Sequence, residues 1–264
     1  MERLLVLRLA AQGVAAEALL NGVPIARVGG ACKVVVLPVH EYALAGANQI
    51  ELVVEPGPAA GAAAPAARLG DGRSAAVLQL LLPRNGQPAH PSSARTLAQL
   101  EWTAPADEVI ELPLSLRQGV ELPIPFTRWR WVDAPAVADA SVLRPAAAAF
   151  LQGLAVALAR GNLEPFVVAA RLRFEELAAA YQRNLSDEVG RWRVHLQALH
   201  AALPLAPALP TAATLVLRPI AGGRLLECLR PDGEPVLQCP VAGGATAAWP
   251  VRLGWIEERF YVLR

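Results

Sequence analysis

Two predicted helices in the second half of the chain carry the side chains best suited to holding a small ligand. Tyr181 lies on the apolar face of the helix predicted over 163–183, close to Glu175, and a phenol beside a carboxylate can orient a bound molecule. Trp192 and His195 follow on the next predicted helix. These four residues form a candidate pocket. The alternative is an ordinary set of surface ion pairs, each of which stabilises a protein little.

A second set of residues, in the segment 123–137, alternates tryptophan with arginine. Trp129 and Trp131 are two residues apart, so both point to one side of an extended segment, and Arg128 and Arg130 point to the other. These four form a candidate surface for a partner, with the indole rings as an aromatic platform for a sugar or a peptide. The alternative is an edge strand or linker whose tryptophans wedge between two domains.

Signatures of catalytic and metal-binding chemistry are absent from the sequence. It contains no nucleophile elbow, phosphate-binding loop or dinucleotide-binding glycine set. His40 precedes Glu41, but Leu44 stands where a zinc-protease motif requires a second histidine, so we interpret His40 as a polar loop residue. His195 and His200 are spaced so that they do not share one metal ion. We therefore predict no catalytic residue, no metal and no cofactor.

Composition limits the classes of partner. The formal net charge is +1 and no basic stripe stands out, so a nucleic-acid partner is not expected. Lys33 is the only lysine and alanine is abundant, which indicates GC-rich bacterial coding. Cys32, Cys228 and Cys239 have no metal-ligand spacing, and an odd, sparse set fits a reducing cytoplasm. The last two flank a predicted hairpin, where either a disulfide or two small buried thiols fit the spacing.

The N-terminal apolar stretch predicts a first strand over 4–9 rather than a secretory signal. Arg8 interrupts the stretch and Glu17 follows it, whereas the apolar core of a signal peptide is uninterrupted. No segment approaches the uncharged apolar length that crosses a bilayer. We therefore expect a cytoplasmic protein that does not associate with membranes.

Residues 1–133 are predicted to form an all-β sandwich domain. Asn21-Gly22 is a strong hairpin signal, and Gly46 and Asn48 tolerate the positive φ of a corner before the next strand. The segment 56–75, rich in proline, glycine and alanine, is predicted to be a mobile loop within this domain.

Residues 138–264 are predicted to form an α+β domain, because the apolar period changes there from two to about 3.6. Three helices are expected: 145–160 with Pro145 in its first turn, 163–183, and a third that begins at Ser186. A curved antiparallel sheet follows, with strands near 213–218, 224–230, 235–239, 249–255 and 258–263. Both faces of this sheet are predicted to be apolar and therefore covered, one by the helices and the other by the N-terminal domain or by a second subunit of a homodimer.

The first domain resembles the galactose-binding-like jelly roll found beside many glycosidases. The resemblance rests on Leu20-Asn21-Gly22 with Pro24, on Pro38-Val39, and on the corner from Gly46 through Asn48 to Leu52. It covers about half of the chain and implies a fold more than a ligand. A carbohydrate-binding module is the function it suggests, although Tyr42 is the only aromatic residue among the first hundred.

The second domain looks like the nuclear-transport-factor or ketosteroid-isomerase-like α+β cone, in which a curved sheet wraps a helix and leaves a pocket. The resemblance rests on element order and on the closing residues Trp255, Phe260 and Tyr261. It implies a small-molecule site of the isomerase or dehydratase type. The carboxylate base that such isomerases need has no clear counterpart, because Asp232 lies on a turn.

The function predicted from these observations is that of a non-catalytic binding protein. The expected partner is another protein, as for bacterial chaperones, immunity proteins or assembly factors. A carbohydrate-binding sandwich and an enzyme in the cone remain as the two alternatives.

Overall fold

The structure, a computed structural model, describes residues 4–30, 32–57, 67–84, 86–123 and 126–264. The chain divides into a first unit, Met1–Thr127, and a second unit, Arg128–Arg264. Antiparallel strands dominate the first unit, whereas the second combines five helices with further antiparallel sheets. The predicted order of an all-β half followed by an α+β half is confirmed.

The first unit places two four-stranded antiparallel sheets around one apolar core. The sheets have the orders β4-β1-β7-β8 and β10-β5-β2-β3, and β6 pairs with β9 in a third, two-stranded sheet. Alternate residues of β1, β2 and β5 are buried, as the period of two predicts. The strands are β1 (Val6–Gln12), β2 (Ala15–Leu20), β3 (Val23–Val28), β4 (Val34–Pro38), β5 (Gly46–Glu55), β6 (Ala67–Asp71), β7 (Ala75–Pro83), β8 (Ala94–Thr103), β9 (Ala106–Glu111) and β10 (Leu114–Leu122).

Asparagine side chains fix the corner between the hairpin and β5. Asn21 and Gly22 both have positive φ, as a two-residue hairpin turn requires, so the predicted hairpin is confirmed. Asn48 acts differently from the expectation, because it lies inside β5 and Gly46 alone takes the positive φ. The Asn48 Nδ2 donates to the carbonyl groups of Leu44 and Gly46, and its Oδ1 accepts from the Asn21 Nδ2, each at 2.8 Å.

His40 is a structural residue, so its interpretation as a polar loop residue is wrong. Its side chain is buried, and its Nε2 accepts a hydrogen bond from the backbone N–H of Leu5 at 2.6 Å. The ring also meets Phe126 edge-on, with 5.4 Å between ring centres. The imidazole thus satisfies a backbone donor that would otherwise be buried without a partner.

The predicted loop 56–75 is wrong in its second half. Residues 58–66 lie outside the described residues. Ala67–Asp71 forms β6, which pairs with β9 in an antiparallel ladder, and β7 begins at Ala75. The partner of β6 is far away in the sequence, so a local compositional pattern does not reveal this pairing.

The second unit begins with helices and ends with strands. Its elements are α1 (Arg130–Asp133), α2 (Ala140–Ala159), α3 (Glu164–Ala169), α4 (Arg171–Ala180), α5 (Leu185–Ala202), β11 (Val216–Ile220), β12 (Leu225–Leu229), β13 (Leu237–Pro240), β14 (Thr246–Trp249), β15 (Arg252–Ile256) and β16 (Arg259–Val262). Strands β11, β12, β15 and β16 form one sheet in that order, and β13 pairs with β14.

The helix boundaries differ from the prediction in two places. Helix α2 begins at Ala140 because the Asp139 Oδ1 accepts from the backbone N–H of Ser141 at 2.8 Å, so Pro145 lies inside the helix rather than in its first turn. Hydrogen bonds from Ser141 also lower the pKa of Asp139. The helix predicted over 163–183 is two helices, α3 and α4, separated at Ala170, where ψ is 11°. No glycine or proline marks this break.

Helix α2 meets the length and composition of a membrane span, which the sequence analysis did not expect. It has 20 residues and a mean hydropathy of 1.6. Its buried residues include Leu151, Leu154 and Leu158, which share the core of the second unit with the sheet. A helix in a protein core can have the same length and composition as a membrane span. Among the described helices, α2 is the only one with that length and composition.

The four-stranded sheet of the second unit has two different faces. Leu217, Leu226 and Leu253 face the helices and belong to the core. The opposite face was also predicted to be apolar, and it carries the buried Leu225 and Ile220, but an ion-pair ladder crosses it beside them. Glu227 is directly opposed to Arg218 on one side and to Arg252 on the other.

Candidate functional site

The tryptophan pair of the segment 123–137 is packed rather than displayed. Residues 130–133 form the helical turn α1, so Trp129 and Trp131 do not alternate along an extended strand. Their exposed fractions are 1% and 3%. The guanidinium group of Arg264 lies over the Trp129 ring, 5.9 Å from its centre. An aromatic platform at these positions would first have to be uncovered.

The two arginines of this segment have intramolecular partners. Arg128 makes a bidentate ion pair with Asp133, with an Nε–Oδ2 distance of 2.8 Å, and these hydrogen bonds lower the pKa of Asp133. The Arg130 Nη2 lies 3.3 Å from the Glu175 Oε2. Both guanidinium groups are largely exposed and remain accessible to a partner.

The four residues of the predicted pocket occupy different settings in the second unit. Glu175 is held by Arg171, with an Nη1–Oε1 distance of 2.9 Å, as well as by Arg130. Tyr181 follows α4 and is half-buried, with the Arg183 guanidinium group 5.1 Å from its ring centre.

Trp192 and His195 lie on the same helix, α5, but in different environments. Trp192 stacks on Phe166 at 4.8 Å between ring centres and meets Phe174 at 5.7 Å. His195, one turn later, is exposed. The indole therefore serves the packing of α3, α4 and α5, and the imidazole faces solvent.

The described residues contain no group of three or more histidine, cysteine, aspartate or glutamate side chains that could hold a metal ion. Cys228 and Cys239 are free and buried, so the two-thiol alternative of the sequence analysis is confirmed over a disulfide. Cys32 is free and exposed.

We expect these three thiols to differ sharply in reactivity. Burial, and the nearby charge of Glu227, raise the pKa of the Cys228 thiol well above its usual range, so it stays protonated and inert at neutral pH. Titration of the native chain with a thiol reagent should give one fast equivalent, from Cys32, and three after denaturation. A second fast equivalent in the native chain would contradict the burial of Cys228 and Cys239.

An edge strand of the first unit has backbone groups available for pairing. Strand β4 ends the sheet order and pairs with β1 alone among the described strands. The backbone N–H of Ala11 donates to the carbonyl of Lys33 at 3.0 Å, and that of Val39 donates to the carbonyl of Leu5 at 3.1 Å. The ladder therefore uses the odd-numbered residues of this strand, and the N–H and C=O groups of Val34 and Val36 point away from β1.

The same two valines are open to solvent. Their exposed fractions are 50% for Val34 and 42% for Val36. Strand β3, which precedes β4, pairs with β2 in the other sheet, and the β3–β4 turn closes on the outward side of β4, where Gly29 and Cys32 exchange backbone hydrogen bonds. In the described part of the chain, one of these outward groups has a hydrogen-bond partner: the Val34 carbonyl oxygen accepts from the Cys32 thiol at 3.8 Å. An exposed apolar edge of this kind is a template for an added strand.

A small pocket lies at the end of the sandwich where β4 begins. Its volume is about 210 Å³, and its walls include Gln12 at the end of β1, Gly13 from the β1–β2 turn, Gly29 and Gly30 from the β3–β4 turn, and Lys33. Lys33 is the only charged residue in this lining, and within the described residues its ammonium group has no ion-pair partner. The pocket thus combines closely approaching backbone with one free positive charge.

Local sequence patterns do not reveal the free edge of β4 or the pocket beside it. The all-β prediction for residues 1–133 does not identify KVVVLP as an edge strand, because the strand order depends on pairing across the chain. Two local signals were present: proline at position 38, which is typical of edges, and the chain's only lysine beside the strand.

Comparison with known protein families, with curated proteins and with solved structures gives no match for this chain.

Proposed function

We propose that this chain is a non-catalytic binding protein that pairs an extended segment of another protein with the free edge of β4. The observation that carries the proposal is the outward N–H and C=O groups of Val34 and Val36 on an exposed strand. Strand addition uses such groups for main-chain hydrogen bonds, and side-chain positions on alternate faces give specificity.

Side chains on both sides of β4 fit an added strand. Val34 and Val36 lie on the outer face, where they are opposite Ala10 and Arg8 on β1. Val35 packs on the core side. A strand with apolar residues at alternate positions would extend the outer surface that Val34 and Val36 form, and cross-strand pairs of β-branched residues stabilise a sheet.

Together with this function, we propose a specific fold for each of the two units. We propose a galactose-binding-like jelly roll for the first unit, since Asn21, Gly22 and Asn48, which carried that resemblance, converge at one corner. For the second unit we propose the α+β cone at the level of element order. We also propose a bacterial cytoplasmic setting without nucleic-acid partners, from the cysteine and charge composition.

Val36→Pro is the sharpest test of the β4 edge. Proline removes the outward N–H of residue 36 but no bond of the β1–β4 ladder, so the fold should hold while an added strand loses a donor. Peptides selected from random libraries on the wild-type chain should bind the variant about tenfold more weakly or worse. Val36→Thr keeps the N–H and the branched shape and should bind as the wild type does.

Two results of the peptide selection would overturn the proposal. One is a selection that enriches no peptide on the wild-type chain. The other is a set of peptides that bind wild type and Val36→Pro equally, since binding would then lie elsewhere. If instead the chain forms a dimer that Val36→Pro dissolves, a second copy covers the edge, and the proposal of a foreign segment is wrong.

A further inference from the structure

We propose that the pocket beside Lys33 binds a small tetrahedral oxyanion, either a phosphate ion or the phosphate group of a small molecule. The pocket lies on the β1 side of β4, behind the β3–β4 turn, whereas an added strand would pair on the opposite side of β4. The two sites are separate, so this inference does not depend on the proposed function of β4.

The pocket lies at one end of the sandwich, where the chain crosses twice between the two sheets. Residues 13–14 connect β1 to β2, and residues 29–33 connect β3 to β4. Gly57, which follows β5, lines a third side, and a Cβ there would lie 3.0 Å from the carbonyl oxygen of Gly13. Three separate stretches of backbone thus surround one small volume.

The β1–β4 ladder places Lys33 on the core side of β4, toward this pocket. The backbone N–H of Ala11 donates to the carbonyl of Lys33 at 3.0 Å, in register with the ladder between the two strands. Ala11 belongs to the core and lines the pocket, and Val35 also packs on the core side. Alternate side chains of a strand share a face, so the Lys33 side chain leaves β4 on the side of the pocket.

The pocket offers hydrogen-bond donors and a positive charge without a competing negative charge. Lys33 is the only charged residue in the described lining. Gly13, Val14 and Gly30 also line it, and in the part of the chain that the structure describes their backbone N–H groups have no hydrogen-bond partner. Val14 is almost fully buried, and a buried N–H needs an acceptor. Backbone donors in turns of this kind form concave anion sites, and Gly13 and Gly30 have the positive φ typical of them.

Size and shape favour phosphate among the anions. The volume of about 210 Å³ is smaller than the sites of drug-sized ligands and cofactors, which measure about 300–1,000 Å³. The donors come from two turns and from the side chains of Lys33 and Gln12. A tetrahedral phosphate presents oxygen atoms in several directions to such a set, whereas a planar carboxylate presents two. Lysine also binds phosphate as a point charge.

The first experiment titrates inorganic phosphate into the isotope-labelled intact chain at constant ionic strength and follows the amide signals by NMR. We expect a Kd of about 1 mM, as for one charge and a few hydrogen bonds to a small ion. The signals of Gly13, Val14 and Gly30 should shift most. Larger shifts elsewhere in the chain, or no saturable shift up to about 10 mM phosphate, would overturn the inference.

Variants test whether Lys33 supplies the charge. Lys33→Met keeps the length of the side chain and removes its charge, so the affinity for phosphate should fall about tenfold or more. Lys33→Arg should retain most of it. The matched control is Arg95→Met, which removes another exposed cation of the first unit and should bind phosphate as the wild type does. Equal losses in Lys33→Met and Arg95→Met would point to net charge alone and contradict a site at Lys33.

Other anions test the chemistry of the ligand. Sulfate should bind comparably and acetate more weakly, and acetate that binds as tightly as phosphate would contradict the tetrahedral assignment. O-phosphoserine distinguishes the two sources of phosphate: tighter binding than inorganic phosphate indicates the phosphate group of a small molecule, and weaker binding indicates the free ion. Val36→Pro should bind phosphate as the wild type does, so the failure of either proposal leaves the other standing.

Discussion

Replacing Glu176 by leucine should lower the free energy of unfolding of the second unit by about 3–5 kcal/mol. Glu176 and Arg264 form a buried ion pair, with exposed fractions of 6% and 2%. The Glu176 Oε1 also accepts from the backbone N–H of Arg130 at 2.5 Å. The substitution leaves a buried guanidinium charge without its carboxylate and a backbone donor without its acceptor.

The other contacts of Arg264 make this charge hard to relocate. Its Nη1 also donates to the carbonyl of Leu263 at 2.6 Å, and its guanidinium group lies over the Trp129 ring. Removing one partner of a buried pair costs more than the pair contributes, because the remaining charge stays desolvated. The effect should therefore exceed that of any surface pair in this unit.

Intrinsic fluorescence is a suitable readout, since Trp102 is the only one of the six tryptophans in the first unit. Urea unfolding followed in this way reports on the second unit. The matched control is Glu175→Leu on the same helix, which removes the exposed pairs with Arg171 and Arg130 and should cost at most about 1 kcal/mol. Equal effects of the two substitutions would contradict the assignment.

Local patterns predicted the elements but not how distant elements combine. The Asn21-Gly22 hairpin and the change from strands to helices depend on neighbouring residues, and both are confirmed. The start of α2 was missed because Asp139, a good N-cap, lies before Pro145, which looked like the stronger signal. The break at Ala170 has no local marker, since neither a glycine nor a proline stands there.

The sites were harder to predict than the elements because burial and strand order are non-local. A polar histidine such as His40 gives no sign that its ring accepts a hydrogen bond from a backbone N–H 35 residues earlier. The spacing of Trp129 and Trp131 fits a strand, but a helical turn buries both rings. For β4, the sequence indicates a strand, whereas the free edge follows only from the absence of a second neighbour in the described sheet.

Replacing Glu227 by leucine should be nearly as costly as replacing Glu176, by about 3–5 kcal/mol. Glu227 lies between two arginines on adjacent strands, with Nε–oxygen distances of 2.8 Å to Arg218 and 3.2 Å to Arg252. The Arg218 side chain is 40% exposed and can turn to water, but that of Arg252 is only 10% exposed. The loss of stability therefore comes mainly from the Arg252 charge, which stays buried in the sheet after the carboxylate of Glu227 is removed.

A second substitution separates this cause from a simple loss of packing. Adding Arg252→Leu to Glu227→Leu removes the stranded charge and should recover most of the lost stability, because a buried ion pair contributes little more than apolar residues of similar volume. The two substitutions should thus be strongly non-additive, as expected for residues in direct contact. Asp232→Asn, which removes an exposed pair with Arg230, should change stability by at most about 1 kcal/mol. If the double variant is as unstable as the sum of the singles, the ladder stabilises the sheet through its charges, and the desolvation argument is wrong for this face.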